Sequence, residues 1–268
     1  MEELSTSANT ASYFGAQSTW GITKHMGGLR ATDLLVEKCL IGKDTHVLVI
    51  GSGSGIASCH IAQKSGCKLT GIDIESGMVE WASNRALKRG LADRVLFRTA
   101  DVQSLPFQDQ SFDTVISESV LAFVPDKELA SREMMRVLKP GGRIGTNECI
   151  WHQPPPQDLL AFVQNSMGGV DFLSSSGWIK LFEESGFRIL FSESRHINAL
   201  QQWRDEMQQL RESKGKGEMW AAWKQFGRLL FKDKNFRKYA RQVTPSFRVI
   251  KSLFQYLGYI LISGQKPE

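Results

Sequence analysis

Between residue 28 and about residue 195 the hydrophobic pattern alternates between two periods. Short runs rich in consecutive apolar and β-branched residues, the mark of strands buried on both faces, fall at 46–50 (HVLVI), 68–73 (KLTGID), 94–100 (RVLFRTA), 112–117 (FDTVIS), 143–150 (RIGTNECI) and 187–194 (FRILFSES). Between them apolar residues recur at steps of three and four, the spacing of a helix with one buried stripe. Such stretches cover Leu29–Leu40, a segment starting near Gly55, Ser76 to about Lys88 with Ser76 as N-cap, a helix capped by Asp126 and running through Val137, and about 176–185. Lys139-Pro140-Gly141-Gly142 ends the Asp126 helix, because proline and glycine do not continue it. Pro154 to Pro156 is expected as a loop. Strand–helix alternation of this kind predicts an α/β fold, a doubly wound sheet with helices on both faces.

Residues 197–255 break the alternation. They read as consecutive helices carrying Trp203, Trp220, Trp223, Phe226, Phe231, Phe236 and Tyr239, and a last strand follows at 257–263. The chain therefore divides into a sheet core at 29–196, a helical insertion at 197–255 between the sixth and seventh strands, and the final strand with its tail at 256–268.

Charge sharpens this division. Of 33 Lys/Arg and 28 Asp/Glu, residues 204–251 hold 13 and 5, a local net charge of +8 against −3 for the rest of the chain. A nucleic-acid face and a membrane-surface face are two readings of that excess; a solvated helical face is the plainer one. The start, MEELSTSANT, is acidic and polar, so neither a secretory signal nor a transit peptide is expected there. No apolar run reaches the length of a membrane span. Cys39, Cys59, Cys67 and Cys149 have no CxxC spacing, which favours buried reduced thiols of a cytoplasmic protein over metal ligands.

The candidate chemistry begins at the end of the first strand. HVLVIGSGSG runs into Gly51, Gly53 and Gly55. In an open parallel sheet, ligands bind beyond the carboxyl ends of the strands. The spacing is G-x-G-x-G, whereas a pyrophosphate-binding dinucleotide loop has G-x-G-x-x-G. On the glycines alone, a tight turn packed on a helix explains the motif as well. Two carboxylates add weight. Asp73 ends the second strand, 22 positions after Gly51, where it can accept from both ribose hydroxyls. Asp101 follows the third strand, where it can take an adenine amine while the Val102 N–H meets a ring nitrogen. Either aspartate alone reads as a turn cap; two at successive strand ends point to a nucleoside.

These residues lie in four segments that resemble class I S-adenosylmethionine-dependent methyltransferases of the small-molecule type: VLVIGSGSG, LTGIDIESGM, FRTADVQSLPFQDQSFDTVIS and REMMRVLKPGGRI, covering 46–150 in order. The resemblance implies a Rossmann-like seven-stranded sheet in the order 3-2-1-4-5-7-6 and S-adenosyl-L-methionine as methyl donor. By position, Gly51, Ser52, Gly53 and Ser54 would line the methionine arm and Asp73 would bind ribose. Ile74 and Met78 would pack on the nucleoside, Asp101 and Val102 would read adenine, and Ser117 would meet the methionine end. The family carries a carboxylate two residues before the first glycine; here that residue is Val49.

Upstream, STWGITKHMGGLRAT resembles the segment before the first helix of phosphoethanolamine methyltransferases. That makes residues 1–28 a lid and brings His25 toward the cofactor, against the plainer reading of a surface-loop histidine. Those enzymes use a histidine five residues beyond the Ser117 position, and Ala122 stands there in this chain. No single base is thus identified; Glu118, Glu148, His152 and Tyr13 are candidates by placement, each with a structural reading beside it. No metal site is expected, and methyl transfer from a sulfonium mainly requires alignment of the nucleophile. The expected function is methyl transfer to a hydrophobic or anionic small molecule. The rivals are a nicotinamide-dependent oxidoreductase, a nucleic-acid methyltransferase and a catalytically silent cofactor-binding protein.

Overall fold

The computed structural model of the chain describes residues 23, 25–167, 170–197, 202, 204, 224, 227, 231, 232, 237 and 247–268. In chain order the described elements are α1 (Gly28–Lys38), β1 (His46–Ile50), α2 (Ile56–Ser65), β2 (Lys68–Asp73), α3 (Ser76–Lys88), β3 (Val95–Thr99) and β4 (Phe112–Glu118). A 3-10 turn (Leu121–Phe123), α4 (Lys127–Val137), β5 (Leu138–Trp151), α5 (Gln157–Ser166), α6 (Ser175–Glu184), β6 (Arg188–His196), α7 (Phe247–Tyr256) and β7 (Leu257–Gln265) complete them.

The seven strands form one sheet in the order β3-β2-β1-β4-β5-β7-β6, as the resemblance implied. Six strands are parallel, and β7 runs antiparallel between β5 and β6. The parallel strands carry near-continuous buried runs, with Val47–Ile50 and Leu69–Ile72 inaccessible on both faces. Helix α1 lies directly on the sheet: a Cβ added to Gly145 would sit 2.7 Å from both Cys39 Sγ, at the C-cap of α1, and Ile116 Cδ1 of β4. All four cysteines are free and buried.

Several element boundaries differ from expectation. Ser76 is the first residue of α3 and does not cap it; Glu75 occupies the N-cap with no side-chain bond. Asp126 does cap α4, accepting from Leu129 N at 2.8 Å. Strand β5 starts at Leu138, paired with Phe112, and accommodates Pro140-Gly141-Gly142 at a register shift between Phe112 and Thr114 of its partner. The prolines at 154–156 lead into the unanticipated helix α5, which buries Leu159, Val163 and Ser166 on one face.

Of the expected insertion, Trp203, Trp220, Trp223, Phe226, Phe236 and Tyr239 lie outside the described residues, as do residues 1–22 of the expected lid. Phe231 is described and is 87% exposed. No helix among the described residues is long and apolar enough to cross a membrane.

Candidate active site

The parallel strands place four loops along one edge of the sheet, at the carboxyl ends of β1, β2, β3 and β4. The loop after β1 turns at once. Gly51 and Gly53 have φ of 61° and 51°, left-handed values that cost side-chain-bearing residues energy. Space adds a second requirement. A Cβ on Gly51 would run into Val120, and one on Gly53 into the side chain of Thr23. At Gly55 a Cβ would lie 2.9 Å from Cα of Ala82, so the third glycine serves the packing of α2 on α3.

The loop is held from several sides. Asp73 Oδ2 accepts the Gly53 N–H at 2.8 Å and Oδ1 accepts the Glu75 N–H at 3.0 Å. Burial pushes the Asp73 carboxyl up, and the N–H donors of Glu75 and Gly53 oppose that shift. Arg85 of α3, itself buried, donates from Nε to Ser54 O at 2.7 Å. The Thr23 hydroxyl lies 3.4 Å from Ser54 Oγ, while the buried Ser52 Oγ has no partner among the described residues.

Beyond β2 and β3 the surface turns apolar and then acidic. Ile74 is 60% exposed although its neighbour Ile72 is buried, and Met78 of α3 is buried. Asp101 Oδ1 accepts from Gln103 N at 2.8 Å, and Val102 is buried. Arg136 of α4 ties down the segment that follows Asp101. It donates to Phe107 O (2.8 Å) and Leu105 O (3.1 Å), and pairs with Glu133 and Asp109.

At the end of β4, Ser117 is fully buried and its hydroxyl donates to Glu148 Oε1 at 3.3 Å. Leu121 N and Val120 N donate to the same oxygen at 3.1 and 3.4 Å. Glu148 is fully buried on β5, and its Oε2 has no partner among the described residues. Burial raises its carboxyl to about 7, against the pull of the backbone donors and Ser117.

On the α1 side, Thr32 Oγ1 lies 3.1 and 3.0 Å from the two carboxylate oxygens of Glu118. His25 Nε2 stands 3.2 Å from the same hydroxyl and 3.9 Å from Glu118 Oε1. The chain around His25 is anchored by Asn147 Nδ2, which donates to Met26 O at 2.6 Å, and by Met26 N, which donates to Ser119 Oγ at 3.3 Å. His25 is therefore a buried residue of the site edge and not a surface-loop histidine. His152 stacks on His196 with ring centroids 3.6 Å apart; its Nε2 occupies the space a side chain on Gly258 would need. Tyr13 lies outside the described residues.

The sequence pattern identified the loop residues but not Thr32, Val120, Arg85, Arg136 or Asn147. Arg136 and Thr32 lie within segments quoted for their resemblance but carried no site signal of their own, and Arg85, Val120 and Asn147 lie outside those segments, so only the fold brings them to the site.

This set fits a nucleoside carrying an amino-acid arm. Two carboxylates stand at successive strand ends, an exposed isoleucine offers an apolar face between them, and the glycine loop leaves a buried hydroxyl unpaired. The spare lone pairs of Asp73 remain available to hydroxyl donors.

A family model described as a methyltransferase domain matches residues 48–145, from within β1 to within β5. The chain carries that domain. An uncharacterized protein of Haemophilus influenzae is 32% identical over 165 residues, which make up 60% of this chain and 66% of that protein. Phosphoethanolamine N-methyltransferase 1 of Arabidopsis thaliana is 27% identical over 191 residues, 71% of this chain and 38% of the plant protein. The chain spans between about a third and two thirds of the length of the curated relatives it matches. Among solved structures, a SAM-dependent methyltransferase from Geobacter sulfurreducens in complex with S-adenosyl-L-homocysteine superposes with a TM-score of 0.68. It is 23% identical, and the match covers 92% of each chain. At that identity the likeness is one of fold.

Proposed function

We infer that this methyltransferase-domain chain is an S-adenosylmethionine-dependent methyltransferase that acts on a small-molecule acceptor. The observation that carries the reading is the Asp73–Gly53 bond: the carboxylate ending β2 closes the glycine loop after β1, inside the matched domain.

Bound there, S-adenosylmethionine supplies a sulfonium methyl group already activated for transfer. The chain's residues bind and orient. The Gly51–Ser54 backbone admits the amino-acid arm, and Asp73 accepts from ribose hydroxyls. Ile74 and Met78 cover the nucleoside, and Asp101 with the Val102 N–H takes the adenine edge. Ser117 borders the methyl-transfer end. Catalysis then rests on in-line alignment and on excluding water. Glu148 and His152 serve structure in this reading: the first gathers the 120–122 turn, and the second packs against His196 and Gly258.

The acceptor is a hydrophobic or anionic metabolite. Support comes from the aromatic and basic 197–255 segment, which leaves β6 at the same edge of the sheet as the site. Gln202 Oε1 accepts the Gly27 N–H at 3.3 Å, so this segment touches the turn just before α1. Free buried cysteines fit a cytoplasmic protein. The test is a screen of metabolite pools with methyl-labelled S-adenosylmethionine. A labelled small-molecule product is expected; label found only in nucleic acid, or nowhere, would overturn the reading.

A further inference from the structure

We propose that Glu118 receives the ammonium group of the cofactor's amino-acid arm. The inference rests on the methyltransferase reading and names a residue that the reading leaves without a role. An ammonium group leaving water needs an anionic or carbonyl acceptor in place of its hydration. Strand β1 supplies no carboxylate, since Val47, Leu48, Val49 and Ile50 are all buried apolar residues.

The acids around the site are not equivalent. Asp73 and Asp101 end β2 and β3, on the nucleoside side, and Asp73 is already engaged by the Gly53 and Glu75 N–H groups. Glu148 is sealed inside the fold, with one oxygen shared among Ser117, Val120 and Leu121. Glu118 is different. Its side chain is 6% exposed, and the Thr32 hydroxyl that spans its two oxygens has one hydrogen to give. A carboxylate has about four lone-pair sites, so acceptor capacity remains for a cation.

Its position suits the arm. Strands β1 and β4 pair in parallel with Val49 opposite Ile116 and Ile50 opposite Ser117; one further step brings Glu118 level with Gly51. Strand alternation puts Glu118 on the face of Ile116 and Val49. Thr23 and His25 mark the two places. Thr23 packs on Gly53, and His25 stands 3.9 Å from Glu118. Paired strands lie about 4.8 Å apart, so an aminocarboxypropyl arm lying along the loop after β1 is within reach of the end of β4.

The test uses two ligands that differ in that arm. S-adenosylhomocysteine has it, and 5′-methylthioadenosine keeps the nucleoside and thioether without it. Dissociation constants for both are measured by titration calorimetry on the wild-type protein and on Glu118→Gln and Glu118→Ala. Both variants are expected to bind S-adenosylhomocysteine about 10- to 100-fold more weakly, the range for one hydrogen bond to a charged group. Affinity for 5′-methylthioadenosine is expected to stay within about twofold. Unchanged S-adenosylhomocysteine affinity would overturn the assignment. So would an equal loss for both ligands, which marks a merely structural residue. A wild-type protein that binds neither ligand would sink the methyltransferase reading itself, a separate result from failure of Glu118 alone.

Discussion

Asp73 Oδ2 accepts the backbone N–H of Gly53 at 2.8 Å, so one carboxylate ends β2 and fixes the loop that follows β1. Its removal has two costs. Asp73→Ala leaves the Gly53 and Glu75 N–H groups without their acceptor and takes away the partner of the ribose hydroxyls. We expect S-adenosylhomocysteine binding to weaken by about 2–4 kcal/mol and the melting temperature to fall. Calorimetry and thermal unfolding measure both. An unchanged dissociation constant removes Asp73 from the site.

Glu148 gives a pH dependence with a definite sign. Its carboxyl is raised by burial from the ordinary 4.5 to about 7. Between those values the native state holds a proton that the unfolded state releases, so stability falls as pH rises. The contribution is fully present below 4.5 and is lost on passing through 7, about 3 kcal/mol in all. Glu148→Gln keeps the neutral form at every pH. Melting curves at intervals from pH 4.5 to 8 are expected to show wild type losing stability relative to the variant. Parallel curves would mean that the carboxyl titrates normally.

Gly51 is constrained twice, by φ of 61° and by Val120. Gly51→Ala is expected to destabilise the fold by about 2–4 kcal/mol, combining left-handed strain with overpacking. In a Val120→Ala background the overpacking part disappears and the strain remains. A double-mutant cycle by chemical denaturation reads the coupling, and strict additivity would exclude the contact with Val120.

Arg136 forks onto Leu105 O, Phe107 O, Asp109 and Glu133. A lysine carries the charge without the fork. Arg136→Lys is expected to cost about 1–3 kcal/mol of stability and to speed amide exchange across 103–110. Wild-type exchange rates there would show that the loop is held without Arg136.

Much of this was legible in the chain. The buried strands, the glycine loop and the two aspartates announce themselves because each obeys a local rule: an apolar run, a turn residue, a carboxylate at a strand end. Helix α5 escaped because its cap is Pro156, without a side-chain bond, behind a proline run that reads as loop. The early start of β5 escaped because Pro140-Gly141-Gly142 signals termination, and only the pairing of Leu138 with Phe112 shows that the strand continues. The His25–Thr32–Glu118 cluster was half legible. His25 and Glu118 stood out as polar residues near motifs, but the threonine joining them is an ordinary helix residue. Eighty-six positions separate it from Glu118, and no local pattern spans that distance.

The carboxyl edge of this sheet is built for S-adenosylmethionine and not for a nicotinamide dinucleotide. Parallel calorimetric titrations of S-adenosylhomocysteine and NADH into the wild-type protein decide between the two. Saturable one-to-one binding of S-adenosylhomocysteine is expected, with about 2.7 kcal/mol of thermal stabilisation at 100 times its dissociation constant, and no heat of binding from NADH. Saturable NADH binding with no response to S-adenosylhomocysteine would contradict it and make the chain an oxidoreductase.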